Sequence, residues 1–114
     1  MESFKPFQPL ITVRASADEM EVIQSPSGYL DAGDATKVTV HVEIFCLANG
    51  TLYLETTPSE EGPWQEVQSW TAAGDVTIDL LTYYSAEHPL ARFVRWRFEA
   101  SDAGAVACFQ LRYH

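Results

Sequence analysis

Basic residues are scarce in this chain: seven Lys and Arg stand against sixteen Asp and Glu, which gives a formal net charge of −9. Such a charge repels a phosphate backbone or an anionic membrane surface, and no Lys-rich run offers a local exception. The composition therefore argues against nucleic-acid and membrane partners.

Long apolar runs are also missing. No stretch approaches the roughly 18 residues that a membrane span needs, and residues 1–6 lack a basic region followed by an apolar one. We therefore expect a chain that is not exported by the general secretory route. Its expected location is the cytoplasm, or a particle assembled there.

Cysteine is limited to Cys46 and Cys108. The alternation of apolar residues predicts that Cys46 faces the protein interior and that Cys108 faces outward. Two cysteines on opposite faces cannot be bridged without a change of strand register. The sequence therefore predicts free thiols, as is usual in a reducing compartment.

Motifs that carry chemistry are absent as well. His41, His88 and His114 lack the spacing of a zinc-ligand pair, and there is no Gly-x-Ser-x-Gly elbow or Gly-rich phosphate loop. No Ser or Cys has a base beside it in the sequence. We therefore predict a non-catalytic protein, with no catalytic residue and no cofactor.

What the chain does have is a two-residue rhythm of apolar side chains across 114 residues, of which 46% are hydrophobic. This rhythm is typical of antiparallel sheets. Strands are predicted at 10–15, 20–24, 36–47, 51–57, 65–70, 76–81, 92–100 and 105–113. The predicted fold is an all-β, antiparallel two-sheet β-sandwich of about eight strands, jelly-roll-like. Residues 1–9 are predicted to form an N-terminal arm and residues 10–114 a single domain.

The same alternation assigns the core, and the turn residues assign two hairpins. Asn49 and Gly50 supply the positive φ angles of a tight hairpin turn, and residues 102–104 are expected to join the last two strands as a second hairpin. The predicted core residues are Val38, Val40, Val42, Ile44, Leu52, Leu54, Val76, Ile78, Leu80, Val94, Trp96, Phe98, Phe109, Leu111 and Tyr113.

Four segments resemble a known family. They are residues 28–34 (GYLDAGD), the alternating strand from residue 36, residues 52–58 (LYLETTP) running into 62–67 (GPWQEV), and residues 91–98 (ARFVRWRF). Their order resembles that of the discoidin-like, or galactose-binding-like, jelly roll and of related modules in phage tail and capsid-associated proteins. The resemblance implies a β-sandwich, and it implies a weak calcium candidate at Asp31 and Asp34.

The uneven distribution of charge along the chain suggests what the chain binds. Residues 1–91 carry fourteen acidic and three basic side chains, whereas residues 92–114 carry two and four. An outward stripe of arginines on an acidic protein suits docking against another copy, and cross-strand pairing with Glu43, Glu55 or Glu99 is the equal alternative. The predicted partner-interface residues are Phe4, Phe7, Arg92, Arg95, Arg97 and Arg112.

The leading hypothesis is a structural or assembly module that makes protein–protein contacts, as a homo-oligomer or within a phage-like particle or tail. The alternative is a carbohydrate-binding module, because aromatic rings beside carboxylates suit a sugar. Its predicted glycan-contacting residues are Trp64, Trp70, Tyr83 and Tyr84.

Overall fold

The computed structural model describes residues 5–33, 40–72, 80–84 and 91–113, with only the backbone for 72 and 80–84. Several predicted features lie outside this part of the chain. They are Phe4, Asp34, Val38, Val76, Ile78, His88, His114 and the side chains of Leu80, Tyr83 and Tyr84.

The described residues form nine strands. Their bounds are β1 Lys5–Arg14, β2 Glu21–Ile23, β3 Leu30–Asp31, β4 Val40–Ala48, β5 Gly50–Thr57, β6 Gln65–Ala72, β7 Leu80–Tyr84, β8 Phe93–Ala100 and β9 Val106–Tyr113. The two-residue strand β3 was not expected from the sequence. Each of the eight predicted strands overlaps one of the eight observed strands that remain when β3 is left out.

The strands form two antiparallel sheets. One has four strands in the order β1-β9-β4-β7, and the other has the order β2-β8-β5-β6, with β3 also paired to β8. Without β3, this is the strand order of an eight-stranded jelly roll. The predicted all-β two-sheet sandwich is confirmed.

Period-2 alternation explains the core between the sheets, because every second side chain of a strand points to the same side. Phe98 and Phe109 are fully buried, one from each sheet. The ring of Trp96 packs edge-on against that of Phe109 at 5.1 Å. The predicted core is confirmed at Val40, Val42, Ile44, Leu52, Leu54, Val94, Trp96, Phe98, Phe109 and Leu111, and Tyr113 packs on it while half-buried.

The predicted hairpin at Asn49 is wrong. Strand β4 belongs to the four-stranded sheet and β5 to the five-stranded one, so the chain changes sheets at this point. Asn49 does adopt the left-handed conformation, with φ 57°. Its carbonyl accepts hydrogen bonds from the backbone N–H and the hydroxyl of Ser101, both at 2.7 Å. The sequence therefore identifies Asn49 as a turn residue but does not identify the strands that pair with β5.

The second predicted hairpin, at residues 102–104, is wrong for the same reason. Strands β8 and β9 lie in different sheets, and Gly104 donates its N–H to Asp102 Oδ1 at 2.7 Å in the connection between them. These two sheet changes lie side by side, because Ser101 contacts Asn49. Together they close one end of the sandwich.

The predicted N-terminal arm differs from the structure. Residues 5–9 belong to β1, an edge strand paired with β9, and Lys5 lies opposite Tyr113. Pro6 and Pro9 fit an edge strand. A proline has no backbone N–H to donate to a neighbouring strand, and an edge strand has a neighbour on one side only. Among the described residues, no helix is long and apolar enough to cross a membrane.

Candidate functional site

The outer face of the five-stranded sheet carries an ionic network, which we call the arginine face. It consists of Tyr53, Glu55, Trp64, Arg95 and Arg97. Glu55 lies directly opposite Arg95 in the register of β5 and β8. One oxygen of Glu55 accepts from Arg95 Nε and the other from Arg97 Nε, each at 3.0 Å.

This network is largely dry. The side chain of Glu55 is 8% exposed, and those of Arg95 and Arg97 are 12% and 18% exposed. Two aromatic rings cover the guanidinium groups: Arg95 stacks on Trp64 at 4.1 Å and Arg97 on Tyr53 at 4.0 Å. Cation–π stacking of this kind stabilises a cation that has lost part of its water.

Two further carboxylates surround Arg97. Its Nη1 donates to Glu21 at 3.0 Å and to Glu99 at 2.9 Å. Burial by itself lowers the pKa of Arg97, but the hydrogen bonds to Glu55 and Glu99 outweigh it and the pKa is raised above its ordinary value. Of the two arrangements open to Arg95 and Arg97, the structure shows cross-strand pairing within one chain.

Two more of the predicted interface residues, Phe7 and Arg92, are also engaged within the chain. Arg92 makes a two-pronged contact with Asp31 at 3.0 and 3.2 Å, and its Cζ lies 5.0 Å above the ring of Phe93. Phe7 packs on the core and contacts the ring of Tyr113 edge-on at 6.0 Å. These contacts place Phe7 and Arg92 in the fold of a single chain.

The calcium candidate is described only at Asp31, because Asp34 lies outside the described residues. The hydrogen bond from Arg92 is the main cause of a lowered pKa at this carboxyl group, and the N–H of Gly33 donates to the same carboxylate at 2.9 Å. Among the described residues, no three His, Cys, Asp or Glu side chains come together as metal ligands.

The predicted aromatic residues are distributed over different parts of the sandwich. Trp70 is half-buried and packs against the core, whereas Trp64 lies on the arginine face under Arg95 and edge-on to Tyr29 at 4.9 Å. Tyr83 and Tyr84 belong to β7, in the other sheet. The described side chains of Trp64 and Trp70 therefore do not share one face.

Arg112 lies on the outer face of the four-stranded sheet. Its Nη2 donates to Nδ1 of His41 at 3.0 Å, and Glu43 is 3.9 Å away. His41 is buried although its strand position faces outward. Because arginine only donates, Nδ1 of His41 acts as the acceptor and the imidazole is neutral.

The stability of the protein should therefore depend on His41 below neutral pH. Burial, and then the positive charge of Arg112, lower the pKa of His41 below its ordinary value of 6.5. The stabilisation that neutral His41 provides is complete above the pKa of about 6.5 that a histidine has in the unfolded chain. It is lost as the pH falls through the lower pKa of His41 in the folded protein. Urea unfolding of the wild type and of His41→Gln between about pH 7.5 and about pH 5 should show a steeper decline in the wild type. Parallel curves would contradict this, since the two proteins differ only at residue 41.

The middle of the same outer face carries a group of uncharged side chains, which we call the thiol face: Leu10, Thr12, Phe45, Cys46 and Cys108. Two β-bulges produce it. The register of β4 against β9 shifts between Ile44 and Cys46, so both Phe45 and Cys46 turn outward. A shift between Gln8 and Ile11 of β1 exposes Leu10 on the other side of β9.

The predicted inward orientation of Cys46 is wrong because of the first bulge, whereas the predicted outward orientation of Cys108 is confirmed. The extra residue reverses the alternation after Ile44, so Leu47 points inward and Cys46 outward. Cys46 and Cys108 are direct cross-strand partners, and both are half-buried free thiols. Simple alternation contains no signal for such a bulge, and this pair was therefore missed from the sequence.

Neither the protein-family models nor the curated proteins provide a match to this chain. The geometry of the two outer faces is therefore the basis for a functional proposal.

Proposed function

We propose that the chain is a non-catalytic structural module that assembles with further copies of itself through the thiol face. The observation that carries this proposal is the exposure of two large apolar side chains on that face. Leu10 is 60% exposed and Phe45 is 37% exposed, and they flank the two cysteines. Clustered apolar side chains at a surface typically mark a protein contact.

The occupant that we propose is a second copy, and charge supports this choice. At a net charge of −9, two copies repel one another unless their contact avoids the acidic surface. The thiol face has no charged residue, and Arg14 and Glu43 lie at its opposite ends along the strands. A two-fold contact can therefore bring unlike charges of the two copies towards each other.

The arginine face offers less for such a contact. Arg95 and Arg97 already share Glu55, so docking through them would first break a buried ion pair. A jelly roll is used in viral capsids as well as in lectins, which is an analogy of fold and not of site. Together with the resemblance of residues 28–34 and 91–98 to phage modules, it supports a phage-like particle as the setting.

Light scattering coupled to size-exclusion chromatography tests this proposal. We expect a discrete oligomer for the wild type, and dissociation constants raised at least about tenfold by Leu10→Asp or Phe45→Asp, since each places a charge in the apolar contact. Ile23→Asp is the matched control, because Ile23 is 41% exposed but lies in the five-stranded sheet.

A wild type that stays monomeric at every concentration would refute the proposal. Equal dissociation by Ile23→Asp would refute the assignment to the thiol face. Circular dichroism of each variant should retain the β-sheet spectrum, so that loss of assembly is not confused with loss of fold.

A further inference from the structure

The two cysteines of the thiol face lie opposite one another on the central strands of their sheet. The pair joins β4 and β9, and Thr12 of β1 lies opposite Cys108 on its other side. Both side chains are half-buried and so remain accessible to a small reagent. No other structural element separates the two positions, because their strands are hydrogen-bonded neighbours.

The spacing of such a pair suits a disulfide. Opposite residues of antiparallel strands have Cα atoms about 4.5 or 5.5 Å apart, depending on the hydrogen-bonding position. Disulfides span Cα distances of about 4.4 to 6.8 Å. Both side chains leave the same face of the sheet, so the backbone does not have to rotate. We propose that Cys46 and Cys108 are a thiol–disulfide exchange site, which a small oxidised disulfide such as glutathione disulfide closes to an intramolecular bridge.

The surroundings of the two sulfurs assign their roles. The hydroxyl of Thr12 donates to Sγ of Cys108 at 3.6 Å, so Cys108 has a hydrogen-bond donor beside its sulfur. Burial, and then the proximity of Cys108, raise the pKa of Cys46. Cys108 is therefore the sulfur that attacks first, and Cys46 is the one that resolves.

The reaction proceeds in two exchanges. The Cys108 thiolate attacks one sulfur of glutathione disulfide, and the S–S bond breaks to release glutathione thiolate and leave a mixed disulfide. Cys46 then loses its proton and attacks Sγ of Cys108, which releases the second glutathione. In total two protein thiols are oxidised, glutathione disulfide is reduced to two glutathiones, and both protons pass to the released thiolates.

Incubation of the reduced 114-residue chain with glutathione disulfide, followed by intact mass spectrometry, tests the proposal. We expect the wild type to lose two hydrogens, and a digest to join the peptides that contain Cys46 and Cys108. Cys46→Ser should instead retain one glutathione. Thr12→Val should close to the same bridge roughly two- to fivefold more slowly. The bridge should raise the Tm on the order of 10 °C, because it closes a long loop.

A stable glutathione adduct on the wild type or a bridge between two chains would overturn the proposal. The Leu10→Asp variant is treated in parallel, because a second copy seated on the thiol face would cover the two cysteines. Closure in this variant but not in the wild type would mean that assembly covers the pair. Absence of closure in both would refute the exchange site and leave the proposed assembly unaffected.

Discussion

Replacing Glu55 with glutamine should lower the free energy of unfolding by about 3–5 kcal/mol, the usual cost of removing one partner from a buried ion pair. Glutamine keeps the shape of the side chain but removes the charge that Arg95 and Arg97 share at 3.0 Å. Both guanidinium groups would remain under their aromatic rings, with little water to replace the carboxylate. Urea denaturation followed by circular dichroism measures the loss.

The same network provides matched controls for this prediction. Glu21 and Glu99 also bond Arg97, but their side chains are 49% and 55% exposed. Glu21→Gln and Glu99→Gln should each cost less than about 1 kcal/mol, because water replaces an exposed partner. If all three variants lose equal stability, the burial of Glu55 is not what makes it important.

Glu55 illustrates how much of the arginine face can be predicted from the sequence. Alternation places Glu55, Arg95 and Arg97 on outward positions, and Glu55 was among the expected cross-strand partners. Its burial could not be predicted, because Trp64, which covers Arg95, comes from the loop before β6. Whether an outward residue is dry depends on tertiary neighbours that periodicity does not identify.

The thiol face is a second feature that the pattern of apolar residues does not predict. Strand positions and core residues follow from local hydrophobic order, which is why Phe98 and Phe109 were assigned correctly. A bulge inserts one residue without changing composition, so the outward turn of Phe45 and Cys46 is invisible in the pattern. The sequence therefore does not identify the exposed side chains of Leu10 and Phe45 and the cysteine pair as one surface.

Strand pairing is a third feature that this pattern does not predict. A residue with positive φ, such as Asn49, fits a tight hairpin and a change of sheets equally well, because both need a sharp local reversal. A hairpin and a change of sheets differ in the contacts of the residue that follows the turn. Gly50 has no positive φ, and its smallness serves a close approach to Phe98 and Glu99 in β8.

Gly50→Ala should therefore destabilise the protein by about 3 kcal/mol, at the upper end of the usual cost of overpacking. The added Cβ would lie 2.7 Å from two ring atoms of Phe98 and 2.8 Å from the carbonyl oxygen of Glu99. Phe98 is fully buried and cannot swing away into solvent. Thermal and urea unfolding should both show the loss.

Gly104→Ala is the matched control, since Gly104 lies in the neighbouring change of sheets. Its Cβ would meet only the Asp102 carboxylate, at 3.3 Å on an exposed side chain that can move. The change in stability should stay within about 1 kcal/mol. A loss as large as that of Gly50→Ala would show that any side chain at this end of the sandwich is harmful, whatever it contacts.

A second substitution separates the two contacts of the Gly50 variant. Phe98→Leu removes the ring atoms but leaves the carbonyl of Glu99 in place. Combined with Gly50→Ala, it should recover only part of the lost stability in a double-mutant cycle, with a coupling of about 1 kcal/mol. Full recovery would assign the whole strain to the ring, and no recovery would assign it to the backbone of β8, which fixes where the chain passes from one sheet to the other.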